Sequence, residues 1–340
     1  MDDKIYNFSN KRIGYLDVVK ALGIFFIYFA HFGPDGGYGY PFAFYSGALF
    51  FFISGASESM SKEIGIYSYF KKKVRTIIVP WFLFALISVV GYSIKNNATD
   101  GMREQFFLIL KGCIRNTFWA PALWFLTCLF VVCIVFWFLR KIKMKIVVIG
   151  ICLLLYLLAE HGMPHRPASN PSWFWNIDSA AEYLIYYCLG YYLFPYINQM
   201  IKRKDTWAVG IKISISLIVA AYGGAVFIGI DFLQFLGQFK IGALFHPLFS
   251  NMLIIILYIA AAYILQDIKI LREIGESTLF LCGSEFILKN VVKDLICLLG
   301  LKIEFVTPLS VYAYVFVLLI IGIKFVVPAE KAVFKRMHIL

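Results

Sequence analysis

One apolar segment, residues 12–31, carries three side chains that lipid would reject: Asp17, Lys20 and His31. At 100° per residue, these three lie on one stripe of a helix. An unpaired charge at membrane depth costs about 3 kcal/mol, so the stripe should face protein or a water-filled cavity. A histidine there can act as a general base, because the pKa of imidazole lies near neutrality. The stripe therefore indicates a functional lining. Alternatively, Asp17 pairs with Lys20 at the headgroups and His31 simply emerges at the far interface.

The basic run Lys71–Arg75 is a second candidate for chemistry, and it precedes an apolar segment that contains Pro80. Lys72 and Arg75 are three residues apart, so a helix would present both cations on one side. Two such cations suit a diphosphate or a 3′-phosphate group. The same run could instead serve only as an anchor on the cytoplasmic side of a membrane.

Three further polar or aromatic residues lie inside or beside apolar segments. Ser54 lies on a face of small residues, which suits either close helix packing or contact with a substrate. Glu285 lies four residues before Lys289, and the two could form a structural ion pair. Lys289 and Lys293 would also suit an anionic or hydroxyl-rich ligand. Trp124 could stack on a sugar or belong to an interfacial aromatic belt.

Composition indicates the elements that position these residues. The chain is 61% hydrophobic, 18% aromatic and only 15% charged, and its mean hydropathy is +0.78. A soluble core of this length could not bury so much apolar surface. We expect an all-α, polytopic membrane helical bundle of about ten transmembrane helices, one integral-membrane domain over residues 1–340, with no soluble domain. The ten apolar segments lie near residues 13–33, 41–60, 76–95, 121–139, 146–160, 180–197, 210–229, 246–266, 277–299 and 308–327.

Basic clusters fall on alternate loops between these segments, which predicts the orientation of the chain in a cell membrane. The clusters are Lys11-Arg12, Lys71–Arg75, Arg140–Lys145, Lys202–Lys204, Lys269–Arg272 and Lys331–Arg336. We expect these loops and both termini, residues 1–12 and 328–340, to be cytoplasmic. No small-residue cleavage site follows the first apolar segment, so we expect that segment to stay in the protein. The net charge of +12 then reflects topology and attraction to anionic lipid, with no sign of nucleic-acid binding.

Several classes of site are excluded by what the chain lacks. None of its seven cysteines forms a CxxC pair, and an odd number of mostly intramembrane thiols argues against a disulfide framework and against a metal site. The Walker A, GxGxxG, HExxH and GxSxG patterns are absent, which excludes ATP-driven transport and metalloprotease chemistry. We expect no metal and no permanently bound cofactor.

Five motifs occur in a characteristic order along the chain. They are R-x3-LD-x2-K with a closing histidine (Arg12, Leu16, Asp17, Lys20, His31), FFFISG, the basic pair Lys72 and Arg75 before Pro80, ALWFL at residues 122–126, and IGESTLFL at residues 274–281. In this order, over nearly the whole chain, they resemble the acyltransferase 3 family of membrane O-acyltransferases.

The resemblance implies an enzyme that moves an acyl group, typically acetyl, from cytoplasmic acyl-CoA to a hydroxyl of an extracytoplasmic carbohydrate. It also implies that His31 is the catalytic histidine and that Lys72 and Arg75 hold the CoA phosphates. Arg12 and Asp17 match other N-terminal motif positions of the family, with Arg12 a further donor contact.

Two departures from the family pattern affect substrate binding. Lys72 replaces the first arginine of the family's basic pair, and lysine cannot grip a phosphate bidentately. Glu285 occupies a site where many relatives have a tyrosine followed shortly by a histidine, so the resemblance does not extend to acceptor specificity at this position. Ser54, Trp124 and Glu285 are possible support or acceptor contacts.

The geometry of one helix agrees with such an enzyme, and rival functions stay open. His31 lies about 21 Å along the helix from Asp17, so donor phosphates on the inner side and a base near the outer side are compatible.

The expected partners are acyl-CoA as co-substrate, a glycan acceptor and membrane lipid; the sequence predicts no oligomeric state. Transfer of succinyl or another acyl group, or transfer to an amine or lipid, is one alternative, and a catalytically silent assembly subunit is a second. A polysaccharide exporter or flippase is another, which the intramembrane charges would suit.

Overall fold

The computed structural model describes residues 13–32, 41–96, 101–115, 117–165, 167, 170–300 and 307–337. These residues form helices joined by turns and short loops, with no strand among them. The α-helices of this part of the chain, numbered in order, are α1 (Gly14–Phe32), α2 (Pro41–Ser59), α3 (Ile66–Lys73), α4 (Val79–Asn96), α5 (Met102–Leu110), α6 (Trp124–Leu139), α7 (Lys145–Leu157), α8 (Ile177–Lys202), α9 (Thr206–Phe227), α10 (Lys240–Leu265), α11 (Lys269–Glu276), α12 (Thr278–Leu298), α13 (Pro308–Ile321) and α14 (Val327–Arg336).

The prediction of an all-α polytopic bundle is confirmed, and each of the ten apolar segments coincides with a helix. Within the described residues, seven helical stretches are long and apolar enough to cross a membrane: Gly14–His31, Ile66–Lys95, Pro121–Leu139, Lys145–Gly162, Thr206–Phe227, Gly242–Leu265 and Leu309–Arg336. The other three predicted segments form α2, α8 and α12, which bury Glu58, Glu182 and Glu285 respectively. That these three cross the membrane stays a prediction.

Three stretches of the described chain wind as wider π-helix, and each ends two residues before a proline. They are Val74–Ile78 before Pro80, Leu158–Gly162 before Pro164, and Gly322–Val326 before Pro328. Pro80 and Pro328 lie inside continuing helices, and because proline has no amide hydrogen and its ring clashes with the carbonyl four residues earlier, the turn ahead of each widens. The stretch before Pro164 instead ends its helix, since Met163 has an extended backbone. The helix that contains Pro80 continues without a break from Ile66 to Lys95. It starts ten residues earlier than predicted, because the cations of IYSYFKKK lower the hydropathy but still favour a helix.

The chain divides into two compact units. Unit 1 draws its described residues from Met1–Ser61, Tyr186–Thr278 and Phe305–Phe316, and unit 2 draws them from Lys62–Ile185, Leu279–Glu304 and Val317–Leu340. Each unit therefore joins segments that are far apart in sequence.

Glycines let the helices of unit 1 approach backbone to backbone. A Cβ at Gly55 of α2 would lie 2.0 Å from the carbonyl oxygen of Tyr187 in α8. A Cβ at Gly275 of α11 would lie 1.7 Å from the carbonyl oxygen of Asp17 in α1. Such small-residue contacts are the usual way to pack helices in a membrane, where lipid is as apolar as the side chains.

Gly275→Ala is expected to lower the melting temperature of the purified protein, because α11 must move away from α1. Overpacking of this kind typically costs about 1–3 kcal/mol. Gly210→Ala is the matched control: Gly210 lies in α9 of the same unit, and nothing lies within 4 Å of a Cβ at that position. Thermal unfolding in detergent compares the two variants. Equal melting temperatures would contradict the close approach of α11 to α1.

Aromatic contacts and a small group of polar contacts hold the helices of unit 2 together. Phe84 of α4 packs against Phe280 of α12 at 6.1 Å between ring centroids and against Phe334 of α14 at 5.4 Å. Near the end of α4, Lys95 Nζ donates to Asn290 Oδ1 at 3.0 Å and lies 2.9 Å from an oxygen of Asp294. These contacts fix α4 against α12 at two levels.

Candidate active site

His31 lies in the last turn of α1, and its side chain is exposed. The turns before it are anchored, because Tyr28 is fully buried and the rings of Phe25 and Phe29 lie 6.0 and 4.8 Å from that of Tyr312 in α13. A histidine at the end of a well-packed helix has a fixed position while its imidazole stays accessible.

Aromatic contacts join the neighbouring helix ends of unit 1. Phe42 of α2 stacks on Phe26 of α1 at 5.0 Å and contacts Phe227 of α9 at 6.3 Å. Phe227 in turn lies 6.3 Å from Tyr312. The end of α1, the start of α2 and the end of α9 therefore meet, and we call this the His31 end of unit 1.

A polar cluster lies at the same end, where α9 finishes and α10 begins. His246 Nε2 lies 2.9 Å from Asp231 Oδ2, and the Tyr222 hydroxyl donates to Asp231 Oδ1 at 3.0 Å. The Leu233 amide also donates to Asp231 Oδ1 at 3.0 Å, and Ser250 Oγ lies 3.5 Å from His246 Nε2. This cluster has no clear signature in the sequence, because Asp231 and His246 are fifteen residues apart and a lone histidine in an apolar helix is not a recognisable motif.

Asp17 lies at the opposite end of α1 from His31. Its side chain is 4% exposed, and it pairs with Lys20 Nζ at 2.6 Å. Two residues earlier, the Tyr15 hydroxyl donates to Asn198 Oδ1 of α8 at 3.0 Å. The structure therefore shows the local ion pair and does not bring Asp17 to His31. Arg12 lies outside the described residues.

Ser54 is satisfied within its own helix. Its hydroxyl donates to the carbonyl of Phe50 at 2.7 Å, and its neighbour Gly55 packs against α8. On this part of α2, the structure therefore displays close helix packing.

In unit 2, Lys72 lies in the last turn of α3 and Arg75 lies in the π-helical turn that follows. Both side chains are exposed. The Thr76 hydroxyl donates to the carbonyl of Lys72 at 2.9 Å. The two cations are thus displayed at one helix surface, which we call the Lys72 end of unit 2.

Aromatic rings hold further cations at the Lys72 end. The Arg140 guanidinium lies 5.6 Å from the ring of Tyr69 and 5.9 Å from that of Trp137, and Lys141 Nζ lies 4.8 Å from the latter. Lys141 also donates to Glu63, which holds the pKa of the Glu63 carboxyl below its usual range. The ion pair therefore stabilises the folded protein at pH values above the pKa that Glu63 has in the unfolded chain. This stabilisation is lost as the pH falls through the lower pKa that Glu63 has in the folded protein. A cation-rich surface of this kind suits a polyanion.

Trp124 and Glu285 lie away from the Lys72 end. The Trp124 ring is 9% exposed and is contacted by Arg115 at 4.6 Å and by Tyr183 at 5.7 Å. Cys282 Sγ lies 3.7 Å from the carbonyl of Ala122, which sets this part of α12 beside the start of α6.

Glu285 is 5% exposed and interacts electrostatically with Lys289 one turn later. Trp124 and Glu285 are thus on adjacent helices. By contrast, the ring of Tyr69 in α3 contacts that of Trp137 in α6, with 6.4 Å between the ring centroids. Trp137 lies about 20 Å further along α6 than Trp124 does.

Unit 2 also contains two hydrogen-bonded loops with strained backbone, which the sequence did not predict. Cys113, Trp175 and Asn176 have positive φ values of 52°, 54° and 55°, a conformation that costs such residues about 1–3 kcal/mol each. Asn176 Nδ2 donates to the Gly112 carbonyl and to Thr127 Oγ1, both at 2.9 Å. These bonds offset the strain and fix the loop at the start of α8.

A family model described as an acyltransferase domain matches residues 13–326. The match covers α1 to α13 and so includes every candidate residue named above except Arg12. No curated protein and no solved structure matches the chain. Within the described residues, no group of three or more metal-ligating side chains occurs.

Proposed function

The chain belongs to the acyltransferase 3 family, and we propose that it is a membrane O-acetyltransferase that moves acetyl from acetyl-CoA to a hydroxyl of an extracytoplasmic carbohydrate. The observation that carries this proposal is the match of an acyltransferase domain over residues 13–326. The acceptor is a cell-surface polysaccharide or a cell-wall glycan. Acyl transfer at a membrane explains why intramembrane helices carry a histidine and clustered cations.

His31 is the proposed base for the reaction. The acceptor oxygen attacks the thioester carbonyl as its proton passes to the imidazole, the C–S bond breaks, and the proton then passes to the CoA sulfur. The exposed position of His31 at a fixed helix end supports this role, because a base must reach the hydroxyl without moving the helix.

Lys72 and Arg75 are the proposed contacts for the CoA phosphates, with Arg12 as a third. The exposed cations of the Lys72 end support this assignment, since phosphates stay in water while the thioester end of the pantetheine arm is uncharged. By the charge pattern of the loops, the Lys72 end faces the cytoplasm, as both termini do, and the His31 end faces outward.

Acetate on the cell envelope tests the function. Cells with and without the protein are compared for alkali-labile acetate per unit of envelope glycan and for total glycan exported. Loss of acetate at an unchanged amount of glycan supports acetyl transfer. Unchanged acetate with less exported glycan would instead indicate an exporter, and a mass increment of succinyl would correct the acyl group.

A further inference from the structure

The cluster around Asp231 joins polar groups from three helices at the His31 end of unit 1. Tyr45 of α2 interacts with Tyr222 of α9 and with the charge of Asp231, and His246 of α10 completes the cluster. Polar groups that converge in a membrane bundle mark a substrate or ion path by default. The proposed role of His31 does not use this cluster.

The packing of α1 against α10 places His31 within about two helical turns of the level of His246. The two helices run in opposite directions, with the ring of Tyr15 at 6.2 Å from Tyr263 and that of Phe26 at 6.1 Å from Tyr258. His31 follows Tyr15 by sixteen residues on α1, and sixteen residues before Tyr263 on α10 is residue 247. His31 follows Phe26 by five residues, and five residues before Tyr258 is residue 253. The rise per residue is about 1.5 Å on both helices, so His31 is level with the turns that follow His246 and contain Ser250.

The cluster is partly exposed. The side chains of His246 and Asp231 are 24% and 26% exposed, whereas Tyr222 and Ser250 are 6% and 1% exposed. The bond from Nε2 to Asp231 fixes the imidazole ring and leaves Nδ1 as its second hydrogen-bonding atom. Carboxylate, imidazole and phenol together offer acceptors and donors, as a hydroxyl requires because it is both.

We propose that Asp231 and His246 form a binding subsite for hydroxyls of the carbohydrate acceptor, next to the hydroxyl that reacts at His31. The proposal rests on the proposed function, acyl transfer to a hydroxyl-rich acceptor. A covalent role for Ser250 does not fit, since Ser250 and Asp231 both approach Nε2 of His246. In a nucleophilic triad, serine and carboxylate bond to opposite nitrogens of the ring.

His246→Ala and Asp231→Asn are expected to raise the acceptor KM about ten- to hundred-fold in the purified full-length protein, which is the loss of one or two hydrogen bonds to charged or oriented groups. The KM for acetyl-CoA and the kcat should stay within about threefold of native. The probe is deacetylated cell-envelope glycan. Tyr222→Phe removes one hydroxyl at nearly constant volume, and its smaller rise in acceptor KM keeps the test valid if a larger change impairs folding.

His165→Ala is the matched control, because His165 forms the same kind of pair with Asp178, at 3.2 Å, in unit 2. It should leave the acceptor KM unchanged. An unchanged acceptor KM in the His246 and Asp231 variants, or a fall in kcat alone, would overturn the subsite.

Direct binding of the glycan, measured without acetyl-CoA, separates the subsite from the proposed function. If the native protein binds glycan and the His246→Ala variant does not, the subsite stands even where no acetyl is transferred. If the native protein transfers acetyl and both variants bind glycan as it does, the subsite fails while the proposed function stands.

Discussion

Replacing His31 with alanine is expected to lower acetyl transfer by about 10²–10⁴-fold, the usual contribution of a general base. The protein should remain folded, because His31 is exposed at the end of α1 and its loss leaves no cavity in the core. The measurement is transfer of radiolabelled acetyl from acetyl-CoA to envelope glycan by purified protein. Melting temperature in detergent verifies the fold.

Two variants make this expectation specific. His31→Asn keeps a polar side chain but no base, and it should be as inactive as His31→Ala. His161→Ala removes another exposed histidine, from the π-helical turn after α7, and should retain native activity. Full activity of the His31 variants would reject His31 as the base.

The helices of this protein are predictable because each is specified locally. A run of about twenty apolar residues that crosses a bilayer satisfies its backbone hydrogen bonds internally by forming a helix. The ends of α1 accordingly fall within a few residues of the predicted ones. The early start at Ile66 was missed since hydropathy measures transfer to lipid, whereas Tyr67 and Lys71 form a helix that need not be apolar. The widened turns before Pro80 and Pro328 follow from steric clashes that hydropathy does not describe.

The candidate site was predictable only where one helix contains it. The i,i+3 spacing of Asp17 and Lys20 gave their ion pair, and the position of His31 gave the helix end. The pair of Asp231 with His246 depends on how α9 and α10 pack, and the strain at Trp175 and Asn176 depends on bonds to a distant loop. Neither has a local signature, so neither could be read from the sequence.

Replacing both Lys72 and Arg75 with alanine is expected to raise the KM for acetyl-CoA by about 10²-fold with little change in kcat. Each charge-assisted bond to phosphate contributes about 1.5–3 kcal/mol, or roughly ten- to hundred-fold in binding, and less where water screens it. Initial rates over a range of acetyl-CoA concentrations measure the change. Lys143→Ala with Lys145→Ala removes two exposed charges from the next basic loop and controls for a general effect of charge.

A shortened donor decides whether Arg75 contacts a phosphate. Acetyl-dephospho-CoA lacks the 3′-phosphate, so it should bind the native protein more weakly than acetyl-CoA does. If Arg75 holds that phosphate, Arg75→Ala should bind both donors equally, because the interaction is already lost. A donor preference that persists undiminished would assign the 3′-phosphate to another residue.

Lys72→Arg tests the departure from the family pattern in the opposite direction. An arginine can grip a phosphate with two parallel hydrogen bonds, whereas lysine offers a point charge, so this variant should lower the KM for acetyl-CoA. An anchor for the cytoplasmic side of the membrane needs only the charge, which lysine and arginine share. An acetyl-CoA dependence that is unchanged in Lys72→Arg and in the double alanine variant would therefore leave the basic run as a topological anchor alone.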